Sequence, residues 1–292
     1  MGKVAVIVAT RGRPALVRQT VDLLASQTRP PDGIIVVGSR PEDIAAFGEA
    51  AANRIVVVGR EGSALQRNDG LRLAADAYDY IAFFDDDFVP SRRWLEHAVA
   101  CFEARPDIAG LTGTLVADGI NSGGIAFDDA IALVAERDAS SELSWALDES
   151  FGPYGCNMAF RAAAIRGLAF DERLPLYAWL EDSDFGGQIV RAGGKTARAD
   201  ALWGVHMGNK TGRERGVRLG YSQIANPIYL ARKGTLPVSF LFKQMARNVA
   251  ANLLKFFSSE PGIDRPGRLR GNLVALRDAL LGRLAPERVT RL

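Results

Sequence analysis

Residues 80–90 read Tyr-Ile-Ala-Phe-Phe-Asp-Asp-Asp-Phe-Val-Pro, so an apolar segment runs directly into three consecutive carboxylates. The apolar part, 80–84, is typical of a buried strand. Ligands of open α/β sheets collect beyond the carboxyl ends of the strands, and the carboxylates 85–87 are therefore expected at a binding site. Divalent cations such as Mg²⁺ prefer oxygen ligands and often bridge carboxylates to substrate phosphates. The stretch indicates either such a metal site or, more simply, an Asp87 or Ser91 that caps the next helix.

Short strands alternate with helices on the amino-terminal side of this stretch. Further strands are predicted at 4–9, 34–37 and 55–58, and the helices between them after Pro14, at 41–52 and at 63–77. Alternation of this kind predicts an α/β fold with a mostly parallel central sheet flanked by helices. Arg becomes frequent near Gly212. We therefore expect a main domain over 1–212 and a helical extension over 213–292.

The composition fits a folded protein and gives no global reason to expect binding to nucleic acid. Hydrophobic residues make up 48% of the 292 residues, enough for a sizeable core. Lys and Arg total 36 against 34 for Asp and Glu, which leaves a formal net charge of +2. Because this charge is close to zero, any electrostatic function must be local.

The cysteines and the amino terminus favour a cytoplasmic location. Cys101 and Cys156 are the only cysteines, and they provide neither a disulfide framework nor the spacing of a zinc site. The first residues, MGKVAVIVATRGRP, lack the order of a signal peptide. Charged residues interrupt every candidate for the roughly 18 apolar residues of a membrane-spanning helix.

A second acidic segment, Glu-Asp-Ser-Asp-Phe at 181–185, is predicted to open a helix that ends at Gly193-Gly194. Carboxylates near a helix amino terminus stabilise the helix by about 0.3–1 kcal/mol, which is sufficient to explain Asp184. The functional alternative is a general base that takes a proton from an attacking hydroxyl. We assign this predicted role to Asp182.

Several separated segments resemble, in the same order, those of the inverting family 2 glycosyltransferases. They are Val6-Ile7-Val8-Ala9-Thr10-Arg11, the Gly-rich helix with Arg67-Asn68, the Asp-any-Asp motif Asp85-Asp86-Asp87, the strand Gly155-Cys156-Asn157-Met158-Ala159-Phe160-Arg161, and Phe170-Asp171-Glu172 followed by Glu181-Asp182. The resemblance implies a catalytic domain of the GT-A fold over 1–212. It also implies transfer of a sugar from a nucleoside diphosphate sugar to an acceptor hydroxyl, as in bacterial polysaccharide synthesis or in rhamnosyltransferases.

The family pattern implies roles for the three aspartates. Asp85 and Asp86 are expected to position the nucleotide ribose or the hydration shell of the metal. Asp87 is expected to be the direct ligand of Mg²⁺ or Mn²⁺.

Other residues on the donor side are predicted with open alternatives. Thr10, Arg11 and Arg67 are expected to contact the nucleotide or the diphosphate, or else to form a turn and a solvated helix face. His206 resembles part of a late family segment that closes over the diphosphate and sometimes supplies a histidine ligand to the metal, although a structural histidine explains it equally well. Lys210 either counters phosphate charge or is a surface lysine.

The acceptor side is predicted around the second acidic segment. Trp179 is expected to offer an apolar face to a sugar ring, or else to be a buried aromatic that anchors the helix. Glu181 is expected to bind the acceptor beside Asp182. The resemblance implies a saccharide or lipid-linked acceptor, used in cell-surface polysaccharide or glycolipid synthesis.

One departure from the family pattern concerns the nucleotide base. The family often has an aspartate after the second strand, whereas this chain has Gly38-Ser39. Asp43 either replaces that aspartate from the following loop or helps to initiate a helix after Pro41. The nucleotide is therefore left unassigned.

Two other classes of function compete with glycosyl transfer. A dinucleotide-dependent enzyme is disfavoured, because Arg11-Gly12-Arg13-Pro14 lacks the Gly-any-Gly-any-any-Gly turn needed beside a pyrophosphate. A non-catalytic nucleotide-sugar or carbohydrate-binding protein on the same fold stays open, and product formation separates it from an enzyme.

The carboxyl-terminal region has the pattern of an amphipathic helix followed by a basic end. Lys243, Arg247 and Lys255 lie on a different predicted face from the apolar stripe. The stripe consists of Val238, Leu241, Phe242, Met245, Val249, Leu253 and Phe256. Residues 261–292 contain seven Arg against two Asp and one Glu, which leaves +4.

This region predicts either membrane contact or protein packing. A basic end with an apolar stripe is expected to lie in the anionic headgroup layer at the inner face of the cytoplasmic membrane. The alternative is packing on the main domain, or a homodimer whose seam is Leu269, Leu273, Leu276 and Leu280.

Overall fold

A nine-stranded sheet organises the chain, of which this computed structural model describes residues 2–48, 52–74, 76–140, 143–150, 152–209, 215–258, 260 and 262–292. The strands are β1 Val4–Thr10, β2 Gly33–Gly38, β3 Arg54–Val58, β4 Tyr80–Asp85, β5 Phe88–Pro90, β6 Ile108–Asp118, β7 Leu147–Asp148, β8 Asn157–Arg161 and β9 Lys195–His206. Their order across the sheet is β3-β2-β1-β4-β8-β6-β9-β5, with β7 paired to β9. The four strands predicted from the sequence form one side of this order.

Parallel pairing joins β3, β2, β1 and β4. Nearly every residue of β1 and β2 is buried, which explains their continuous runs of Val and Ile. The register places Ala9 beside Asp85 and Thr10 beside Gly38. The carboxyl ends of these strands therefore meet at one edge of the sheet, where the Asp stretch begins.

The other side of the sheet is mixed. β8 lies antiparallel between β4 and β6, and β5 is antiparallel to β9, whereas β6 and β9 are parallel. The predicted α/β fold is confirmed, with antiparallel strands added beyond β4. Because β5 and β9 pair with Phe88 opposite His206, a residue from late in the chain comes to lie beside the aspartates.

Helices cover both faces of the sheet. They are α1 Pro14–Leu24, α2 Ser63–Ala74, α3 Trp94–Ala104, α4 Phe127–Ala139, α5 Glu181–Arg191, α6 Gly216–Lys233, α7 Val238–Leu254 and α8 Arg265–Leu280. Alternate residues of β1 enter two cores, since Val6 and Val8 pack with α1 and α3, while Ala5 and Ile7 pack with α2 and α5.

The prediction of a helix over 41–52 is wrong for the residues of this range that the structure describes, 41–48 and 52. A short 3-10 helix, Pro41–Ile44, occupies this place, and residues 49–51 lie outside the described part. The carboxylate of Asp43 accepts the backbone N–H of Arg40 at 2.9 Å and so closes a tight turn. Of the helix predicted at 63–77, α2 covers Ser63–Ala74.

The carboxyl-terminal helices pack directly on the sheet-containing part. Leu230 of α6 and Leu241 of α7 are buried in the same core as α2 and α5. The predicted boundary near Gly212 falls within 210–214, outside the described residues, so the division into 1–212 and 213–292 stays a prediction. Within the described ranges, the helices are too short or too polar to cross a membrane.

A buried amide network fixes α6, α7 and α8 to one another. Asn252 Nδ2 donates to Gln223 Oε1 at 2.8 Å and to Asn272 Oδ1 at 2.9 Å. Asn272 donates in turn to the carbonyl oxygen of Gly220 at 2.7 Å. Arg265 donates to Asn252 Oδ1 at 3.3 Å. Each of the three helices therefore contributes a polar group whose partner lies on another helix.

We expect Asn252→Leu to lower the free energy of unfolding by about 1–3 kcal/mol, because buried oxygens of Gln223 and Asn272 lose their donor. Ser239→Ala, at an exposed position of the same helix, is the control and should stay within about 0.5 kcal/mol of the parent. Urea unfolding monitored by circular dichroism measures both. Equal stabilities of the two variants would contradict a role of the network in holding the helices.

Candidate functional site

Asp86 and Asp87 are buried after β4 and are held by side chains from the end of β1 and from α1. Thr10 Oγ1 donates to Asp86 Oδ2 at 2.6 Å, and Thr20 Oγ1 donates to the Asp86 carbonyl oxygen at 2.7 Å. The guanidinium of Arg13 lies 2.8 Å from Asp86 Oδ1 and 3.1 Å from Asp87 Oδ2. The Asp stretch is therefore part of a built polar site, with Arg13 compensating its charge.

His206 faces this stretch from the end of β9. Its Nε2 lies 3.5 Å from Asp87 Oδ1, and its Nδ1 lies 2.9 Å from Asp118 Oδ1. Ligand atoms of Asp85, Asp87 and His206 all lie within 4.8 Å of one another. Asp118 thus orients the ring so that Nε2 is directed at the carboxylates, an arrangement typical of histidines that bind metal.

Neither Asp87 nor Ser91 caps α3, because its N-cap is Arg93, which has no side-chain cap hydrogen bond. Ser91 Oγ accepts the backbone N–H of Arg93 at 3.2 Å, directly before α3. Asp87 Oδ2 instead accepts the backbone N–H of Asn209 at 2.8 Å, in the segment after β9. Asp87 therefore joins two distant parts of the chain.

Arg67, on α2, is the centre of a buried network that connects the two acidic segments. Its guanidinium pairs with Asp85 at 2.8 Å and also pairs with Glu181. It donates to the carbonyl oxygen of Gly155 at 3.0 Å. The backbone N–H of Gly155 donates to Asp182 Oδ2 at 2.8 Å. Arg67 and Gly155 together thus fix the end of β4 relative to the start of α5.

The acidic residues at the start of α5 have different surroundings. Asp184 is fully buried and accepts from Lys233 Nζ at 2.6 Å and from Thr235 Oγ1 at 2.5 Å, which ties α5 to α6 and its following loop. Asp182 is half-buried, and its described partners are the backbone N–H groups of Gly155 and Ser183. Because a carboxylate has about four acceptor positions, Asp182 keeps capacity for a substrate hydroxyl.

Glu181 and Trp179 occupy the positions predicted for acceptor binding. Glu181 is buried against Arg67, so its described contact positions that guanidinium. Trp179 is half-buried and packs against the core of α2 and α5, in agreement with the anchoring alternative. Contact of either residue with an acceptor stays a prediction.

The backbone directly before α5 is strained. Positive φ angles of 62°, 51° and 76° occur at Leu176, Ala178 and Leu180, and such angles cost non-glycine residues on the order of 1 kcal/mol or more each. The backbone N–H of Ser63 donates to the Leu176 carbonyl oxygen at 2.8 Å, and Asn226 Nδ2 donates to the Trp179 carbonyl oxygen at 2.9 Å. Helices α2 and α6 therefore hold this segment in place and so position Asp182.

Burial and charge shift the pKa values of the cluster in different directions. Burial raises the pKa of Asp86 to about 7, against the opposing charge of Arg13. Burial also acts to raise the pKa of Asp87, but the hydrogen bond and charge of His206 hold that pKa below its usual range. Burial acts to lower the pKa of His206, yet Asp118 and Asp87 raise it to about 10. Both shifts depend on the contact between Asp87 and His206, and coordination of a metal by His206 would require its imidazole to lose the added proton.

The segment that follows β2 lies too close to Gly38 for a side chain at this position. A Cβ on Gly38 would lie 2.7 Å from Ile44 Cγ2 and 3.2 Å from the Arg40 carbonyl oxygen, so a side chain there requires the 3-10 turn to move. Asp43 is buried, and its carboxylate accepts the backbone N–H groups of Gly12 at 2.6 Å and of Arg40 at 2.9 Å. These bonds favour the alternative in which Asp43 helps to initiate a helix after Pro41, here the short 3-10 helix, over recognition of a base.

Comparison with known proteins agrees with this arrangement. Residues 5–167, more than half of the 292 residues, match the family profile described as Glycosyl transferase family 2. The chain belongs to glycosyl transferase family 2. The resemblance indicated by the sequence segments is confirmed, and the protein is a glycosyltransferase by family. No curated protein sequence matches this glycosyltransferase at a significant level.

Two solved structures have a similar fold. The mannosyltransferase PcManGT from Pyrobaculum calidifontis, in complex with GDP-Man and Mn²⁺, is 20% identical with a TM-score of 0.56, over 96% of this chain and 80% of that one. Residues 1–349 of TarS from S. aureus are 14% identical with a TM-score of 0.50, over 88% of this chain and 72% of that one. At such identities the likeness shows the fold alone, and the predicted GT-A fold is confirmed.

The residues of the cluster fit a divalent cation in this family 2 glycosyltransferase. Asp85, Asp87 and His206 offer two carboxylates and an imidazole, a donor set suited to Mn²⁺ and acceptable to Mg²⁺. Three protein ligands leave coordination positions for diphosphate oxygens. Coordination of the metal by Asp87 and His206 stays a prediction. Asp85 was predicted to position the ribose or the hydration shell, and its closeness to the other two residues makes it a third candidate ligand.

The predicted donor-side residues are not equally close to this cluster. Arg67 is buried and pairs with Asp85 of the cluster. Thr10 is buried and bonded to the neighbouring Asp86. Arg11 lies nearer the surface and pairs with Glu61 at 2.8 Å. Lys210 lies outside the described residues. Contacts of these side chains with a nucleotide stay predictions.

Sequence patterns assigned no role to Arg13 or Asp118. Arg13 lies in the loop directly after β1. Its position beyond the carboxyl end of a strand was a sequence signal that could have placed it at the binding site. Asp118 has no such signal, because its contact with His206 depends on the β6–β9 register, which places these two residues opposite each other.

We expect Asp118→Asn to weaken Mn²⁺ binding by about 10–100-fold, because an outer carboxylate fixes the orientation of its histidine ligand. Asp87→Ala, which removes a ligand, should weaken binding at least as much. Calorimetric titration of Mn²⁺ in the presence of a nucleoside diphosphate measures the affinities. Asp129→Asn, at an exposed position of α4, is the matched control. Wild-type affinity of Asp118→Asn would remove His206 from the metal site.

Proposed function

We propose that this protein transfers a sugar from a nucleoside diphosphate sugar to an acceptor hydroxyl, with inversion at the anomeric carbon. The observation that carries the proposal is the connection of the two acidic segments through Arg67 and Gly155. Arg67 holds Asp85 on the donor side, and the Gly155 N–H holds Asp182 on the acceptor side. Such a network would hold a bound sugar donor and the proposed base Asp182 at a fixed distance. Holding reacting groups in the correct orientation lowers the entropic part of the activation barrier.

The proposed reaction is a single displacement. The acceptor oxygen attacks the anomeric carbon while the bond from that carbon to the diphosphate oxygen breaks, and attack from the opposite face inverts the configuration. Asp182 takes the proton of the acceptor hydroxyl. Asp85, Asp87 and His206 would hold a Mg²⁺ or Mn²⁺ ion, which would supply charge stabilisation for the departing nucleoside diphosphate.

The proposed substrates are supported by the family and by the surroundings of the site. A sugar nucleotide as donor is supported by the similar fold of PcManGT, which was solved with GDP-Man and Mn²⁺. Thr10 and Arg11 lie at the end of β1, and Arg67 of α2 is bonded to Asp85 at the end of β4, where the nucleotide and diphosphate of the donor would bind. Trp179 and Glu181 flank the base, where a saccharide or lipid-linked acceptor would approach. We place the reaction in the cytoplasm, in the synthesis of a cell-surface polysaccharide or glycolipid.

We expect Asp182→Asn to lower turnover by about 10²–10⁴-fold, because an amide keeps the shape of the side chain but cannot accept the proton. Donor binding in the presence of Mn²⁺ should be retained. Turnover is measured as release of nucleoside diphosphate with the donor and acceptor that the wild-type protein uses best.

The control for this variant is Ser183→Ala, since Ser183 contacts Asp182 through its backbone N–H, which alanine keeps. This control should retain wild-type turnover. Unchanged turnover of Asp182→Asn would remove Asp182 from the role of base. Donor binding without product from any acceptor by the wild-type protein would instead favour a binding protein on the same fold.

We expect the wild-type protein to use sugar nucleotides with different bases at rates within about tenfold of one another, because Gly38 offers no carboxylate to the base and a hydrogen bond of this kind contributes on the order of 1.5 kcal/mol. A panel of donors that share one sugar and differ only in the base measures the ratio. Strict use of one base, with the others slower by orders of magnitude, would contradict this expectation.

A further inference from the structure

The exposed face of α7 is apolar. Leu254 and Phe257, at and just beyond its carboxyl-terminal end, are 87% and 96% exposed, and Val238, Phe242 and Leu253 are also exposed. The stripe predicted from the sequence is therefore split. Leu241 is buried in the core with α2 and α5, and Met245 and Val249 pack against α6 and α8. The remaining apolar residues of α7, Val238, Phe242, Leu253 and Leu254, form a second apolar face that is exposed to solvent.

Basic charges predominate beside this face, since Glu260, the acidic residue that follows the helix, is paired with Lys255 and Arg265. Lys243 and Arg247 are exposed on α7. Between Val238 and Ser258 the sequence contains no Asp or Glu. An α-helix with Phe and Leu on one exposed strip, Lys and Arg beside it and no acids has the composition of helices that lie in a membrane interface.

Helix α8 repeats this combination independently. Leu273, Leu276 and Leu280 are exposed, and the exposed charged residues among them are Arg270 and Arg277. The acidic residue of α8 is Asp278, which is buried and accepts from Arg288 Nε at 2.7 Å, Arg283 Nε at 3.0 Å and Tyr221 Oη at 3.1 Å. Its charge is therefore compensated inside the protein and does not offset the exposed arginines.

The charges beside this apolar face favour an anionic lipid surface over a second copy of the protein as its binding partner. A symmetric dimer places the same face of each copy against itself. In such a dimer the exposed Lys243, Arg247, Arg270 and Arg277 of both copies would approach one another, while the acidic residue within these two helices is the buried Asp278. An anionic lipid surface supplies both the apolar layer for Leu254 and Phe257 and the opposite charge for the basic residues.

We propose that the exposed faces of α7 and α8 are a docking surface for an anionic lipid bilayer, with the side chains at the end of α7 inserted among the lipids and the flanking Lys and Arg in the headgroup layer. The two helices pack against α6, and Asn226 of α6 holds the segment before Asp182. Docking would hold the protein at a lipid surface. The proposal does not depend on the proposed sugar transfer, because binding to vesicles requires no donor.

The test is flotation of the full chain with vesicles of phosphatidylcholine alone or mixed with phosphatidylglycerol, at low and at high salt. The wild-type protein should bind the mixed vesicles at low salt and bind less at high salt. Leu254→Ser/Phe257→Ser should lower the partition coefficient about tenfold or more. Lys243→Gln/Arg247→Gln should lower it about fivefold per removed charge on the mixed vesicles.

Matched controls are Leu73→Ser, an exposed leucine on α2, and Arg40→Gln, an exposed arginine before the 3-10 turn. Both should bind as the wild type, and thermal unfolding should show that all variants are folded. Failure of the wild-type protein to float at low salt would overturn the proposal. Equal losses in the controls would also overturn it. A dimer in sedimentation that Leu254→Ser/Phe257→Ser abolishes, without any vesicle binding, would assign the surface to self-association instead.

Discussion

The buried guanidinium of Arg67 connects the parts of the protein on which the site depends. A charge taken out of water is costly unless it is paired and hydrogen-bonded, and Arg67 meets this requirement through Asp85, Glu181 and the Gly155 carbonyl oxygen. These partners belong to the end of β4, the start of α5 and the turn before β8. Removing one partner from such a buried pair costs about 3–5 kcal/mol, so these elements cannot shift independently of one another.

The mixed half of the sheet completes the site that the parallel half begins. Parallel strands bring the ends of β1, β2 and β4 to one edge, where Thr10 and Asp86 bond to each other. The antiparallel β5–β9 pair then returns the chain to this edge and carries His206 to Asp87. Because β6 is parallel to β9, Asp118 reaches the same histidine from the other side. The arrangement of Asp87, His206 and Asp118 is therefore a consequence of strand register.

The carboxyl-terminal helices support the site and also present an unusual surface. Lys233 and Thr235 satisfy the buried Asp184, and Asn226 holds the strained segment that leads into α5. An isolated amino-terminal part would lose these bonds, and of its described side-chain donors Asp184 would keep only Gln188 of the same helix. The same helices leave leucines and phenylalanines exposed beside arginines and lysines, so one region combines internal support with a surface suited to anionic lipid.

Local sequence was sufficient for the amino-terminal half of the fold and for the family. Runs of Val and Ile predicted β1, β2 and β3, and the apolar run before Asp85 predicted β4, because a short run of β-branched and aromatic residues is by itself a strand signal. The order of the motif segments indicated glycosyl transferase family 2. The start of α5 at Glu181 also followed from local signals, since acidic residues and terminal glycines mark helix ends.

Only the tertiary structure decided which of these residues meet. It placed Asp85 with Asp87 and His206, assigned Glu181 to Arg67, and brought in Arg13 and Asp118, for which the sequence pattern predicted no role. It also replaced the helix predicted at 41–52 by a short turn that Asp43 closes, and it divided the apolar stripe of α7 between core and solvent. Periodicity reports that a face is apolar but not what covers it, and contacts between distant residues depend on strand register and helix packing, which no local pattern encodes.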